Sequence, residues 1–168
     1  MTFTIPRICT LLTGPMRCIR LETVIAAPAG DCFGLALSVD AHTASMRGSG
    51  ERAIGGVTSG IMKLGDTVTW RARHFGIVFQ MTSAITEYQY PSRFVDEQLH
   101  GPFRRWWHEH TFTATANGKT VMTDVVRFQS PLGPLGCLAD RLVLNRYMPH
   151  LLRQRNAWLK ATLEAQAS

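Results

Sequence analysis

The stretch Phe94-Val95-Asp96-Glu97-Gln98-Leu99-His100-Gly101-Pro102-Phe103-Arg104-Arg105-Trp106-Trp107-His108-Glu109-His110-Thr111-Phe112 decides the fold. It reads as two alternating strands joined at Gly101-Pro102. One parity collects Phe94, Asp96, Gln98 and His100, then Trp106, His108, His110 and Phe112. Residues two apart in a strand share a face of the sheet, so these side chains form one surface. A surface that mixes large aromatics with Asp, Gln and paired His is too polar for an ordinary core and too aromatic for an ordinary solvated face. It reads as the wall of a cavity.

Working outward, Asn117-Gly118 is a hairpin dipeptide whose two residues tolerate the positive φ of a type I′ turn. The returning strand, 119–129, then brings Met122, Asp124, Val126 and Phe128 to the same face. Upstream, 67–75 and 77–90 flank Gly76 as a hairpin that can add Trp70 and His74 to the wall, and 52–58 is a weak strand interrupted by Gly55-Gly56. Residues 18–26 alternate, with Ile19, Leu21, Thr23 and Ile25 on one parity. Ala27-Pro28-Ala29 opens a helix, since proline is tolerated in a first turn and Asp31 complements the helix N-terminus. A second short helix is expected over 40–47, capped by Asp40 and ended by Gly48-Ser49-Gly50. Finally Leu135, Leu138, Leu142, Leu152, Leu159 and Leu163 lie near helical spacing and predict one long amphipathic helix over 135–166, with Pro149 kinking or dividing it. Consecutive hairpins imply an antiparallel meander, and the class is α+β.

A chain of 168 residues fits one domain, expected over 18–168, behind an N-terminal extension, 1–17, that is disordered or reflects a start placed too early. That extension is mildly apolar but has no long hydrophobic segment and no signal-peptidase pattern. With 45% hydrophobic and 18% charged residues the chain is globular, and no apolar run reaches membrane-spanning length, so stable membrane insertion is not expected. The net charge of +6 comes from fifteen Arg and three Lys scattered along the sequence. Nucleic-acid binding needs a clustered basic face, and none is expected here. Cys9, Cys18, Cys32 and Cys137 form no CxxC or Cys/His pattern and read as reduced thiols of a cytoplasmic protein. The oligomeric state has no signature.

The chain resembles the SRPBCC superfamily, which contains START domains, birch pollen allergen relatives and polyketide cyclase/dehydrases; it is most similar to bacterial ligand-binding, cell-division-inhibitor-like members. The resemblance rests on Ile25-Ala26-Ala27-Pro28 with Phe33, Leu64-Gly65-Asp66 with Trp70, and Tyr90-Pro91-Ser92-Arg93 leading into Phe94-Val95-Asp96-Glu97-Gln98. It continues through Gly101-Pro102-Phe103-Arg104-Arg105-Trp106 with His108, His110 and Phe112, Thr123-Asp124 with Pro131-Leu132-Gly133, and Arg155-Asn156. It implies a helix-grip fold, β-α-α-β6-α, in which a curved antiparallel sheet of about seven strands wraps a long C-terminal helix. It implies a pocket but names no ligand, because one scaffold hosts carriers, cyclases and sensors.

The expected ligand-binding residues are Trp70, His74, Phe94, Asp96, Gln98, Trp106, His108, His110, Phe112, Met122 and Asp124. Two imidazoles and two carboxylates beside an apolar wall can transfer protons, because His titrates near neutrality and a carboxylate fixes its tautomer. Buried His-Asp pairs also satisfy one another's hydrogen bonds without reacting, and that simpler reading leads. His108 and His110 alone supply only two metal ligands, so no metal is expected, and no phosphate loop, nucleotide fingerprint or hydrolase elbow points to a cofactor. The expected partner is a hydrophobic small molecule, lipid-, quinone- or polyketide-like, held by a protein that is more binder than enzyme. The alternatives are a polyketide cyclase/dehydratase using His108, His110, Asp96 and Asp124, and a lipid or quinone chaperone that visits membranes.

Overall fold

The computed structural model describes residues 16–130 and 145–166. The first strand, β1 (Arg17–Ile25), begins one residue before the expected boundary, and its Arg17 pairs with Phe128. It leads into α1 (Ala29–Ala36), whose N-terminus is set by Pro28 in an extended conformation. Next comes α2 (Val39–Ser45), capped by Ser38, whose hydroxyl accepts from the Ala41 amide at 3.2 Å. Asp40 was the expected cap; it sits inside the first turn, and its carboxylate instead accepts from the Gly60 amide. Ser38 wins because the cap must stand in extended geometry just before the turn it closes.

Six further strands follow: β2 (Arg52–Gly56), β3 (Thr67–His74), β4 (Ile77–Gln89), β5 (Arg93–His100), β6 (Arg105–Ala114) and β7 (Thr120–Gln129). All pair antiparallel in one sheet of order β1-β7-β6-β5-β4-β3-β2. The β4–β5 register shifts twice, where Leu99 is extra on β5 and where Thr86 is extra on β4, and such inserted residues bend strands.

The paired positive φ values expected at Asn117-Gly118 occur instead at the other hairpin turn. At Phe75-Gly76 both residues have positive φ (52° and 80°), the pair a type I′ turn requires, and His74 pairs with Ile77 across it. At Asn117-Gly118 only Gly118 has positive φ. There the Gly118 amide donates to Thr115 O and the Thr115 amide to Lys119 O, a longer loop closed by a single left-handed glycine.

The C-terminal helix, α3 (Asn145–Gln166), continues through Pro149 without division. The part of the long helix expected upstream, 135–144, lies outside the described residues, as do Cys9 and Cys137. Leu152, Leu159 and Leu163 are buried, and each contributes about 1.5–3 kcal/mol by leaving water. Leu159 and Leu163 pack with Ile25, Phe33, Phe94, Phe112 and Met122 in one cluster, while Leu152 packs with Trp106, Val126 and Phe128 in another. Among the described residues no helix is long and apolar enough to cross a membrane.

Candidate functional site

On β6 the even positions Trp106, His108, His110 and Phe112 are buried, and on β7 so are Met122, Asp124, Val126 and Phe128. The register sets Asp96 opposite His108 and His110 opposite Asp124 on adjacent strands. Cross-strand neighbours on one face lie within side-chain reach, so four ionisable groups meet at the middle of the sheet.

Asp124 sits beneath this group, fully buried. Its Oδ1 lies 3.0 Å from His108 Nε2 and 2.9 Å from His110 Nδ1; the first contact is a hydrogen bond, the second is close but poorly aligned. Asp96 Oδ2 lies 3.4 Å from both His108 Nδ1 and His110 Nε2. From α3, Asn156 Nδ2 donates to Asp124 Oδ2 at 2.6 Å, and the Arg155 guanidinium stands 3.7 Å from Oδ1 while donating to Ala36 O.

Burial opposes charge on Asp124, but His110 and His108 outweigh it and hold the carboxyl well below the usual carboxylate range. Asp96 is also held low against burial, by the hydrogen bond from His110 and the charges of His108, His110 and Arg155. The two imidazoles diverge. Burial and repulsion from His110 push His108 down, whereas on His110 the two carboxylates overcome burial and push it up. The same surroundings therefore favour the charged form of His110 and of both carboxylates and the neutral form of His108.

Beside it lies a cavity of ≈ 480 Å³ between the sheet, α2 and the first turns of α3. Asp96, His108 and His110 border it, together with Trp70, His74, Phe94 and Trp106. Phe79, Met81 and Ile85 of β4 face Met148, Leu151 and Leu152 of α3 across it. A second polar group lines the same space: His42 Nε2 approaches Glu51 Oε1 at 3.2 Å, the His42 ring lies over Trp70 at 4.2 Å, and His74 Nδ1 meets the Tyr147 hydroxyl at 2.8 Å. Burial opposes ionisation of Glu51, but His42, with His74 and Arg155 behind it, holds the carboxyl below its usual value.

Seven of the eleven expected binding residues thus border the cavity, and four do not. Gln98 turns its amide to the β5–β6 loop, donating to Phe103 O at 2.7 Å and accepting from the Phe103 amide. Phe112 and Met122 lie in the packed cluster under α1, and Asp124 stands behind the imidazoles. Sequence reasoning missed His42, Glu51 and Tyr147, and it gave no role to Arg155 and Asn156. The last two fall on the buried stripe of α3 between Leu152 and Leu159, where polar side chains must find internal partners; that was the available signal.

No protein-family model matches the sequence, and no curated protein is significantly similar to it. Solved structures do match. The ZhuI aromatase/cyclase from Streptomyces sp. R1128 superposes with a TM-score of 0.74 at 13% identity, covering 92% of this chain and 97% of the other. A point mutant of norcoclaurine synthase from Thalictrum flavum gives 0.67 at 12%, covering 93% and 98%. A START superfamily protein from Mycobacterium smegmatis gives 0.65 at 10%, covering 89% and 98%. With the seven-stranded antiparallel sheet and its C-terminal helix, these likenesses show that the chain has the helix-grip fold.

Proposed function

We propose that this protein binds an apolar or amphipathic small molecule, such as a lipid, a quinone or a polyketide-like aromatic, in the cavity between sheet and α3. The observation that carries this reading is the lining: aromatic, Met, Ile and Leu side chains around ≈ 480 Å³, with a few convergent polar groups. Small-molecule sites have that composition and a volume of roughly 300–1,000 Å³. The free thiols of Cys18 and Cys32 fit a reducing, cytoplasmic setting. The test is titration with an environment-sensitive fluorophore followed by displacement with lipids, quinones and aromatic polyketides. Saturable binding with displacement by one class supports the reading, and absence of probe binding opposes it.

The second reading is an enzyme, a cyclase or dehydratase. It is favoured by one observation, a neutral His108 between two carboxylates on the cavity wall, an arrangement able to take and return a proton. The aromatase/cyclase among the similar structures adds a precedent on this fold. Conversion of a bound compound by the wild type, lost in His108→Gln, would promote it.

A further inference from the structure

His108 and His110 each turn one ring nitrogen toward the same oxygen of Asp124 and the other toward the same oxygen of Asp96. The two carboxylates differ in position. Asp124 is fully buried behind the rings, held by Asn156 and Arg155, whereas Asp96 and both imidazoles border the cavity. A neutral imidazole carries one N–H and one lone pair. If His108 Nε2–H is given to Asp124 in the neutral ring, the Nδ1 lone pair faces Asp96 Oδ2, which stands 3.4 Å away. His110 Nε2 stands at the same distance from that oxygen.

A tetrahedral ion with ligands at about 2.0–2.2 Å sets its ligand atoms about 3.3–3.6 Å apart. Both separations from Asp96 Oδ2 fall in that range, and all three ligand atoms lie within 4.8 Å of one another.

We propose that Asp96 Oδ2, His108 Nδ1 and His110 Nε2 bind a divalent transition-metal ion, with Asp124 orienting both rings from behind and a further coordination position facing the cavity. Two imidazoles and one carboxylate suit zinc and its first-row neighbours, whereas magnesium and calcium prefer oxygen alone. Metal-bound histidines give their other ring N–H to a carboxylate or carbonyl, and Asp124 Oδ1 supplies that partner for His108 and lies 2.9 Å from His110 Nδ1. The open position would receive an oxygen atom of whatever fills the cavity. Because the inference rests on donor geometry alone, it can fail while apolar binding stands, and the reverse.

The test is calorimetric titration of the chelator-stripped full chain with zinc chloride, followed by cobalt(II) as a spectroscopic probe of coordination. The wild type should take up one ion and give the intense visible bands of low-coordinate cobalt. Asp124→Asn should weaken zinc by about 10- to 100-fold, and Asp96→Asn and His108→Gln by more. His100→Ala and His150→Ala, at exposed positions, should bind as the wild type does. Circular dichroism checks the folding of each variant, and if one ligand variant misfolds the other decides. No zinc uptake by the wild type, or unchanged uptake in a folded Asp96→Asn or His108→Gln, would overturn the proposal.

Discussion

Asn156 Nδ2 donates to Asp124 Oδ2 at 2.6 Å, so a residue of the C-terminal helix holds the carboxylate at the centre of the sheet. Asp124 is fully buried and sits under both imidazoles; whatever the cavity does, its polar wall is braced through this contact.

Asn156→Leu removes the donor and leaves a buried charge short of a partner, a loss of about 3 kcal/mol. For a chain of this size that corresponds to a fall of roughly 6–12 °C in the thermal midpoint, measurable by circular dichroism melting. A midpoint equal to that of the wild type would show that Asp124 is satisfied without the helix.

Trp106→Ala should weaken binding of an apolar fluorophore, because the indole borders the cavity and packs on Phe103 and Phe128. The comparison uses protein shown by melting to be folded at the assay temperature, since truncating a buried Trp costs about 3–5 kcal/mol by itself. Equal affinity in folded protein would remove Trp106 from the binding wall.

His108→Gln separates binder from enzyme. Gln can donate to Asp124 as Nε2 does, so stability and apolar-ligand affinity should stay close to wild type. Any turnover should vanish, because Gln does not titrate. Product formation that survives the change would exclude His108 as the proton carrier.

Glu51 supplies a pH test away from the His-Asp cluster. Its folded-state pKa is lowered from an unperturbed 4.5, so its stabilising contribution is present above pH 4.5 and is lost as pH falls through the lower folded value. In a series of thermal midpoints from neutral pH downward, the wild type should lose stability below pH 4.5 more steeply than Glu51→Gln. Parallel curves would mean that Glu51 is not held by His42.

How much of this was legible in the sequence depends on the range of the interaction. Period-two alternation from Phe94 to Phe112 is local, and it placed Trp106, His108, His110 and Phe112 on the buried face correctly. The partnership of the four ionisable groups followed from pairing neighbouring strands, and His108 lies closer to Asp124 than to Asp96. Alternation could not tell that Gln98 spends its amide clasping the next loop, since the same parity serves both uses. Turn chemistry misled at Asn117 because a hairpin's type also depends on where the strands register, and Thr115 bonds to Lys119 there. Contacts such as Asn156 to Asp124, 32 positions apart, exist only once α3 docks on the sheet.

The most direct test of the central claim, that the cavity holds an apolar or amphipathic small molecule, is native mass spectrometry of the purified full chain. The account predicts an adduct of small-molecule mass that organic extraction releases and that Trp106→Ala, confirmed as folded, carries at lower occupancy. Bare protein that also fails to take up any lipid, quinone or aromatic polyketide added in excess would contradict it.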